Sequence, residues 1–136
     1  MMVSPDRPPQ GTVRDWLTQR ARIGGVAFVF PEDGSDMDWA TLQAEATGIA
    51  QSLTASGAAK GESVAIVSPN GREGLVAMYG ALIGGFRATM INLAAGKAAI
   101  AYALEHSGAR FAFVHQSCSE LFNEANPTGV QRITLR

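Results

Sequence analysis

Two polar side chains stand where an α/β chain commonly places its chemistry. Asn70 follows the apolar run Val64–Val67 inside the breaker cluster Ser68-Pro69-Asn70-Gly71, and His115 follows a second apolar run, Phe111–Val114. Each lies just past the expected carboxyl end of a buried strand, the edge at which open α/β sheets bind ligands. An amide in that place can orient a ligand oxygen, and an imidazole can carry a proton or bind a metal. Neither has a sequence neighbour that completes a site. Asn70 is as well suited to capping the helix that follows, and no carboxylate or cysteine accompanies His115 at ligand spacing. These two are the candidate binding residues; no catalytic set and no metal-ligating set surrounds them.

Glycine is abundant, with 15 residues, so phosphate-binding loops are tested next. Gly96-Lys97 has the look of the end of a Walker loop, but the glycine required five residues earlier is Ile91, and Ala98 stands where Ser or Thr is needed. No G-x-G-x-x-G follows a strand either, since the turn at Pro69-Asn70-Gly71 offers no second close glycine for a pyrophosphate. His106 falls in the last turn of an expected helix, where positive charge is favourable against the helix C-terminus. Glu32, Asp33, Asp36 and Asp38 share a turn-rich stretch and read as a solvated loop rather than as acid–base machinery. Cys118 is the chain's one cysteine, which allows no internal disulfide; it reads as a small, semi-buried side chain.

The elements that must hold these residues follow from periodicity. Val64–Val67 is too short for a helix and reads as a strand buried on both faces. Beyond the breaker cluster, Leu75, Val76, Met78, Tyr79, Leu82 and Ile83 surround a helix almost completely, predicting burial on most sides, until Gly84-Gly85 stops it. A second β-type run, Ala88–Leu93, completes a βαβ unit with parallel strands. Upstream, the spacing predicts a short amphipathic helix over Thr12–Ile23, a strand over Val26–Phe30 that pairs with Met37–Trp39, and a helix whose inner face is Leu42, Ala46, Ile49, Ala50 and Leu53. Glu45 lies off that face. Downstream come a helix over Lys97–Ser107 with Ile100, Ala101 and Leu104 inward, the Phe111–Val114 strand, a helical turn over Ser119–Glu124, and a β-prone run, Val130–Leu135. Strands near residues 28, 65, 90, 113 and 133 with helices between them specify one α/β domain over residues 12–136: a layered, mostly parallel sheet with flanking helices, preceded by a proline-bearing flexible lead-in over residues 1–11.

Composition bounds the partners. A chain of 136 residues can bury roughly two thirds of the surface its unfolded form exposes, enough for a real core. Eleven basic against twelve acidic residues, scattered along the chain, leave a net charge of -1 and no electrostatic footprint for nucleic acid or a membrane surface. The uncharged stretch Gly74–Phe86 has 13 residues and is interrupted by glycine, whereas a membrane span needs about 20 apolar ones. The N-terminus has no apolar signal region, so a cytoplasmic location is expected.

The order of these features resembles the amino-terminal region of the AMP-forming acyl-CoA synthetases, members of the adenylate-forming superfamily. The resemblance rests on Asp38-Trp39-Ala40-Thr41-Leu42, on LTASGAAKG over Leu53–Gly61, on Glu62-Ser63-Val64-Ala65-Ile66 and on Pro69-Asn70. It continues through Gly84-Gly85, Asn92-Leu93 and Tyr102-Ala103-Leu104-Glu105-His106-Ser107 with Ala109-Arg110. Trp39, Ser63, Gly71 and Met90 depart from the residues usual at those places in the family, which are tyrosine, aspartate, serine and proline. The resemblance implies a partial N-terminal subdomain of the adenylate-forming fold, truncated from a longer enzyme. For that parent it implies two-step chemistry, a carboxylate plus ATP giving an acyl-adenylate and pyrophosphate, then coenzyme A displacing AMP. ATP, magnesium and coenzyme A are the implied cofactors, and the family's Ser/Thr/Gly-rich phosphate loop ending in Pro-Lys is expected after Arg136. The chain alone is then an inactive scaffold whose partner is the remainder of the synthetase, with a homodimer through the truncated surface expected in isolation. The alternative is a stand-alone interaction or regulatory module that docks on a synthetase.

Overall fold

The computed structural model describes residues 11–125 and 127–135. The lead-in expected over residues 1–11 therefore lies, except for Gly11, outside the described residues. Helix α1 (Val13–Ile23) starts on a capping box, in which the Thr12 hydroxyl accepts from the Asp15 N–H and the Asp15 carboxylate accepts from the Thr12 N–H. Strands β1 (Val26–Phe30) and β2 (Ser35–Asp38) pair antiparallel as a separate two-stranded ribbon. The β1 run is thus not a strand of the main sheet, and Val26 and Val29 stay exposed. Asp38 ends β2 and caps helix α2 (Trp39–Ala55), accepting from the Thr41 N–H at 2.6 Å.

The main sheet begins at β3 (Ser63–Val67). Helix α3 (Arg72–Ile83), β4 (Arg87–Met90), helix α4 (Lys97–Ser107), β5 (Phe111–His115), helix α5 (Ser119–Ala125) and β6 (Gln131–Leu135) follow. All four strands are parallel, in the order β4-β3-β5-β6. The β4 run stops earlier than the expected Leu93, because Asn92 accepts from the Ala94 N–H at 3.0 Å and bends Leu93–Ala95 into a single 3-10 turn.

Strand β3 is buried along its whole length and divides its side chains between two cores. Val64 and Ile66 pack with Ala77 and Ala81 of α3, Leu53 of α2 and Phe111 and Phe113 of β5. Ala65 and Val67 pack on the other face with Ile100 and Leu104 of α4, Cys118 and Phe122. Ser63, the polar exception, pairs its hydroxyl with Thr89 Oγ1 of β4 at 2.7 Å. A third core lies beyond α3, where Val76 and Ile83 meet Leu17 of α1, Met37 of β2 and Leu42 and Ala46 of α2.

Helix α3 therefore sits between the sheet and α2, and its buried residues are Gly74, Val76, Ala77, Gly80, Ala81 and Ile83. Leu82, expected in the core, is instead 38% exposed, because the two inward directions of α3 are taken by small residues that allow close approach. A Cβ on Gly80 would lie 2.3 Å from Ile49 Cγ2 and 3.0 Å from the Ala46 carbonyl oxygen of α2. Arg14 of α1 closes the C-terminus of α3, donating from Nε and Nη2 to the Ile83 carbonyl at 3.0 and 2.8 Å. Glu45, expected free on the outer face of α2, receives Arg72 of α3 at 2.5 Å; both side chains are about two-fifths exposed, so the pair adds little.

One ion pair stands at the amino ends of β3 and β5. Glu62 receives Arg110 Nη2 at 3.0 Å and Arg110 Nε, and also accepts from the Ala59 N–H at 2.9 Å. These bonds, the Arg110 guanidinium first, hold the Glu62 carboxyl below its ordinary value. Thr12 does the same for Asp15, Ser35 for Asp33 and Thr41 for Asp38.

The small-residue seam predicts unequal costs for neighbouring substitutions in urea unfolding. Gly80→Ala costs about 1 to 3 kcal/mol by overpacking, although alanine gains about 1 kcal/mol of helix propensity there. Leu82→Ala costs about 1 kcal/mol or less because its side chain is part-exposed. A neutral or stabilising Gly80→Ala contradicts the close approach. The four lowered carboxyls set the acid dependence. Each is bonded in its ionised form, so its stabilising contribution is present above the ordinary carboxyl pKa and is lost as pH falls through the lowered value. The urea midpoint should fall between about pH 5 and about pH 3, and Glu62→Gln should make that fall shallower. A midpoint that stays flat over this interval contradicts the assignment.

Candidate functional site

After β3 the chain crosses to β4 on one side through α3, then returns past β3 to β5 through α4. The helices pack on opposite faces, so the connections diverge between β3 and β5. The crevice outside the carboxyl ends of those two strands is the switch point at which open α/β sheets bind ligands. Both sequence candidates flank it, Asn70 in the turn after β3 and His115 at the end of β5.

Asn70 is exposed and does not cap α3. The cap position belongs to Gly71, at φ +157°, and no side-chain hydrogen bond closes the helix start. Capping is therefore not what places Asn70. It lines a cleft of about 340 Å³ with Phe28 and Phe30 of β1, Leu75 and Met78 of α3 and Met90 of β4. His115 does not line that cleft, so the two candidates share an edge of the sheet without sharing a pocket.

The partner of His115 is one that sequence spacing did not offer. Glu73, in the first turn of α3, brings Oε2 to 3.8 Å from His115 Nε2. On the other side of the ring, Nδ1 accepts from the Ser117 N–H at 3.1 Å, with Ser117 Oγ at 2.7 Å. A backbone N–H can only donate, so Nδ1 is the acceptor and the neutral ring carries its proton on Nε2, facing Glu73. Hydroxyl, imidazole and carboxylate thus lie in series, but not as a nucleophilic set. The Ser117 backbone already occupies the lone pair that would take the hydroxyl proton, and the carboxylate is beyond hydrogen-bond reach. The arrangement fixes the β5 exit loop and presents one polar edge toward α3.

The remaining candidates have structural employment. His106 stacks on Tyr102 one turn before it, with ring centroids 5.4 Å apart and planes 9° apart. Asp33 accepts from the N–H and hydroxyl of Ser35, and Asp38 caps α2, which agrees with turn and cap chemistry rather than acid–base work. Cys118 is buried beneath β5 among apolar side chains. Gly96 caps α4 at φ +87° and Lys97 is exposed beside it. Among the described residues no three His, Cys, Asp or Glu side chains stand together to hold a metal ion, and no helix is long and apolar enough to cross a membrane.

Comparison with known proteins places this geometry. The N-terminal domain of FACL13 from Mycobacterium tuberculosis superposes with a TM-score of 0.83 at 28% identity, over 92% of this chain and 34% of that one. A Mycobacterium tuberculosis fatty acyl CoA synthetase gives 0.80 at 29% identity, over 90% of this chain and 26% of that one. The O-succinylbenzoate coenzyme A synthetase of Bacillus subtilis, solved with AMP, gives 0.76 at 26%, over 88% of this chain and 30% of that one. The chain thus spans about a third or less of these structures and resembles the N-terminal part of fatty acyl-CoA synthetases. No curated protein matches it. The sequence model of the AMP-binding enzymes matches residues 16–135, the stretch that builds the helices and the parallel sheet. Sequence and architecture agree over nearly the whole chain, which belongs to the AMP-binding enzyme family.

Proposed function

We propose that this chain is the N-terminal scaffold of an AMP-forming acyl-CoA synthetase, and that the activity belongs to a longer protein of which it supplies the first part. The observation that supports the reading most strongly is the pairing of coverages: the superposition uses 92% of this chain but 34% of its Mycobacterium tuberculosis neighbour. In the proposed reaction a carboxylic acid, ATP and coenzyme A become acyl-CoA, AMP and pyrophosphate, with magnesium accompanying the nucleotide. The fatty acyl CoA synthetase among the similar structures favours a fatty acid as the acyl donor and a place in fatty acid metabolism. The scaffold works in the cytoplasm, and its partner is the remainder of the synthetase. In isolation the outer edge of β6, hydrogen-bonded on one side only among the described residues, is open to a second copy.

The described residues themselves do not fit ATP or magnesium. The turn after β3 presents one glycine, Gly71, instead of a run of converging backbone donors, and the Glu73 carboxylate stands in the first turn of α3, where a triphosphate meets a like charge. No cation-holding cluster stands nearby among the described residues. No chemical step is therefore assigned to these side chains. Their part is to hold a parallel sheet and its helices as a rigid wall for the rest of the enzyme.

Pyrophosphate release tests this division of labour. Given ATP, magnesium and a range of fatty and aromatic acids, the 136-residue chain should release none that depends on the acid. The same chain continued past Arg136 through a Ser/Thr/Gly-rich loop ending in Pro-Lys should release it and, with coenzyme A, form the thioester. Acid-dependent release by the 136-residue chain alone contradicts the proposal.

A further inference from the structure

The open strand edges differ in the charge they carry. In the four-stranded sheet the outer strands each hold a cation, Arg87 in β4 and Arg132 in β6, and in the ribbon β2 holds Asp36 and Asp38. A charge within an edge strand discourages a further strand from adding to it. Strand β1 reads VAFVF, with neither charge nor proline, and among the described residues it pairs on one side only, with β2. Its other side presents unpaired N–H and C=O groups along a β-prone run.

One face of β1 is uncovered as well. The register sets Val29 opposite Asp36 and Val26 opposite Asp38, whereas Phe28 stands opposite the buried Met37. Phe28 and Phe30 pack against the outer core, so Val26 and Val29 face away from it. Val26 is 54% and Val29 64% exposed, and Ile23, just before the strand at the end of α1, is 63% exposed.

The charges at the two ends of β1 say what covers this edge. Arg20 and Arg22 precede the strand in the last turn of α1, and Glu32 and Asp33 follow it in the turn to β2. Arg22 and Glu32 are exposed and have no ion-pair partner among the described residues. One end is thus basic and the other acidic. Antiparallel pairing of β1 with β1 of a second copy brings opposite charges together at both ends, whereas parallel pairing brings like charges together. The antiparallel contact has two-fold symmetry and closes on itself, so association stops at two copies.

We propose that β1 is a self-association edge, pairing antiparallel with β1 of a second copy, with Val29 opposite its counterpart on the two-fold axis, Phe28 opposite Phe30, and Arg22 of each copy near Glu32 of the other. Outer side chains then meet outer ones, and the two ribbons become one antiparallel sheet in the order β2-β1-β1-β2. So short a contact makes a weak dimer, populated at high micromolar concentration. The pairing does not depend on the proposed reaction.

Sedimentation equilibrium of the 136-residue chain across the micromolar range tests the edge. The chain should dimerise, Val29→Lys should abolish the dimer with the far-UV circular dichroism unchanged, and Ile133→Lys in β6 should leave it intact. Arg22→Glu and Glu32→Arg should each weaken the dimer by roughly fivefold, and the two together should restore it. That charge exchange decides the matter should Val29→Lys lose its fold. Residues directly opposite on antiparallel strands have Cα atoms about 4.5 to 5.5 Å apart, so with diamide as oxidant Val29→Cys should give a disulfide-linked dimer. Asp36→Cys, as exposed but about 14 Å from its counterpart across three strand spacings, should not. The native Cys118 is buried and does not interfere. A chain that stays monomeric overturns the proposal. So does a dimer that survives Val29→Lys, one that is lost on Ile133→Lys, or cross-linking as ready through Asp36→Cys as through Val29→Cys.

Discussion

The fold depends on how closely α2 and α3 approach at Gly80. Helix α3 must pack on the sheet and on α2 at once, and a side chain as small as a methyl at position 80 would collide with Ile49 and the Ala46 carbonyl. The sheet side of the helix is equally spare, with Ala77 and Ala81 against Val64, Ile66 and the two phenylalanines of β5. Small residues on both inward faces let one helix join two cores that would otherwise be separate layers. The α1 helix and the β1–β2 ribbon then gather around the outer core through Leu17 and Met37. Arg14 ties α1 back to the end of α3. Close packing of this kind tolerates little change of volume, which is why one glycine has consequences across three elements.

On the other side of α3 the sheet supplies the functional geometry. Strand β3 alternates its side chains between two helical layers, and the chain winds away from it in both directions. That divergence creates the crevice beside which Asn70, Glu73, His115 and Ser117 stand. The same winding brings the ends of β5 and β6 together, with His115 in register with Leu135. In the proposed parent, whatever follows β6 therefore starts at the edge where such sheets bind ligands. Of the polar residues beside the crevice, His115 and Ser117 bond to each other, which fixes the β5 exit loop.

Much of this was legible in the residues. The βαβ unit, the antiparallel ribbon, the helix over Lys97–Ser107 and the parallel sheet all follow from apolar runs bounded by glycine, proline and capping residues. Three features were not legible, for separate reasons. Helix α3 is apolar on nearly every side, so periodicity could not say that Leu82 faces outward; residue size, read from Gly74, Ala77, Gly80 and Ala81, was the available signal. That the β1–β2 ribbon stays apart from the four-stranded sheet was the second, because strand composition does not say which sheet a strand joins. The Glu73–His115 pair spans two connections of the sheet, and only the switch-point topology brings the α3 start beside the β5 exit. Asn70 lies past the carboxyl end of β3, where its sequence position put it, but the cap of α3 that it was suited to is Gly71.

The proposed division between scaffold and chemistry rests on the family assignment and on the site geometry. The scaffold half of that account is the part this chain can answer for directly. Titration calorimetry of the chain with ATP and magnesium tests it: the account predicts binding weaker than about 1 mM. A micromolar dissociation constant, lost on substitution of Asn70 or His115, contradicts it by showing that the switch-point crevice binds nucleotide without any later segment.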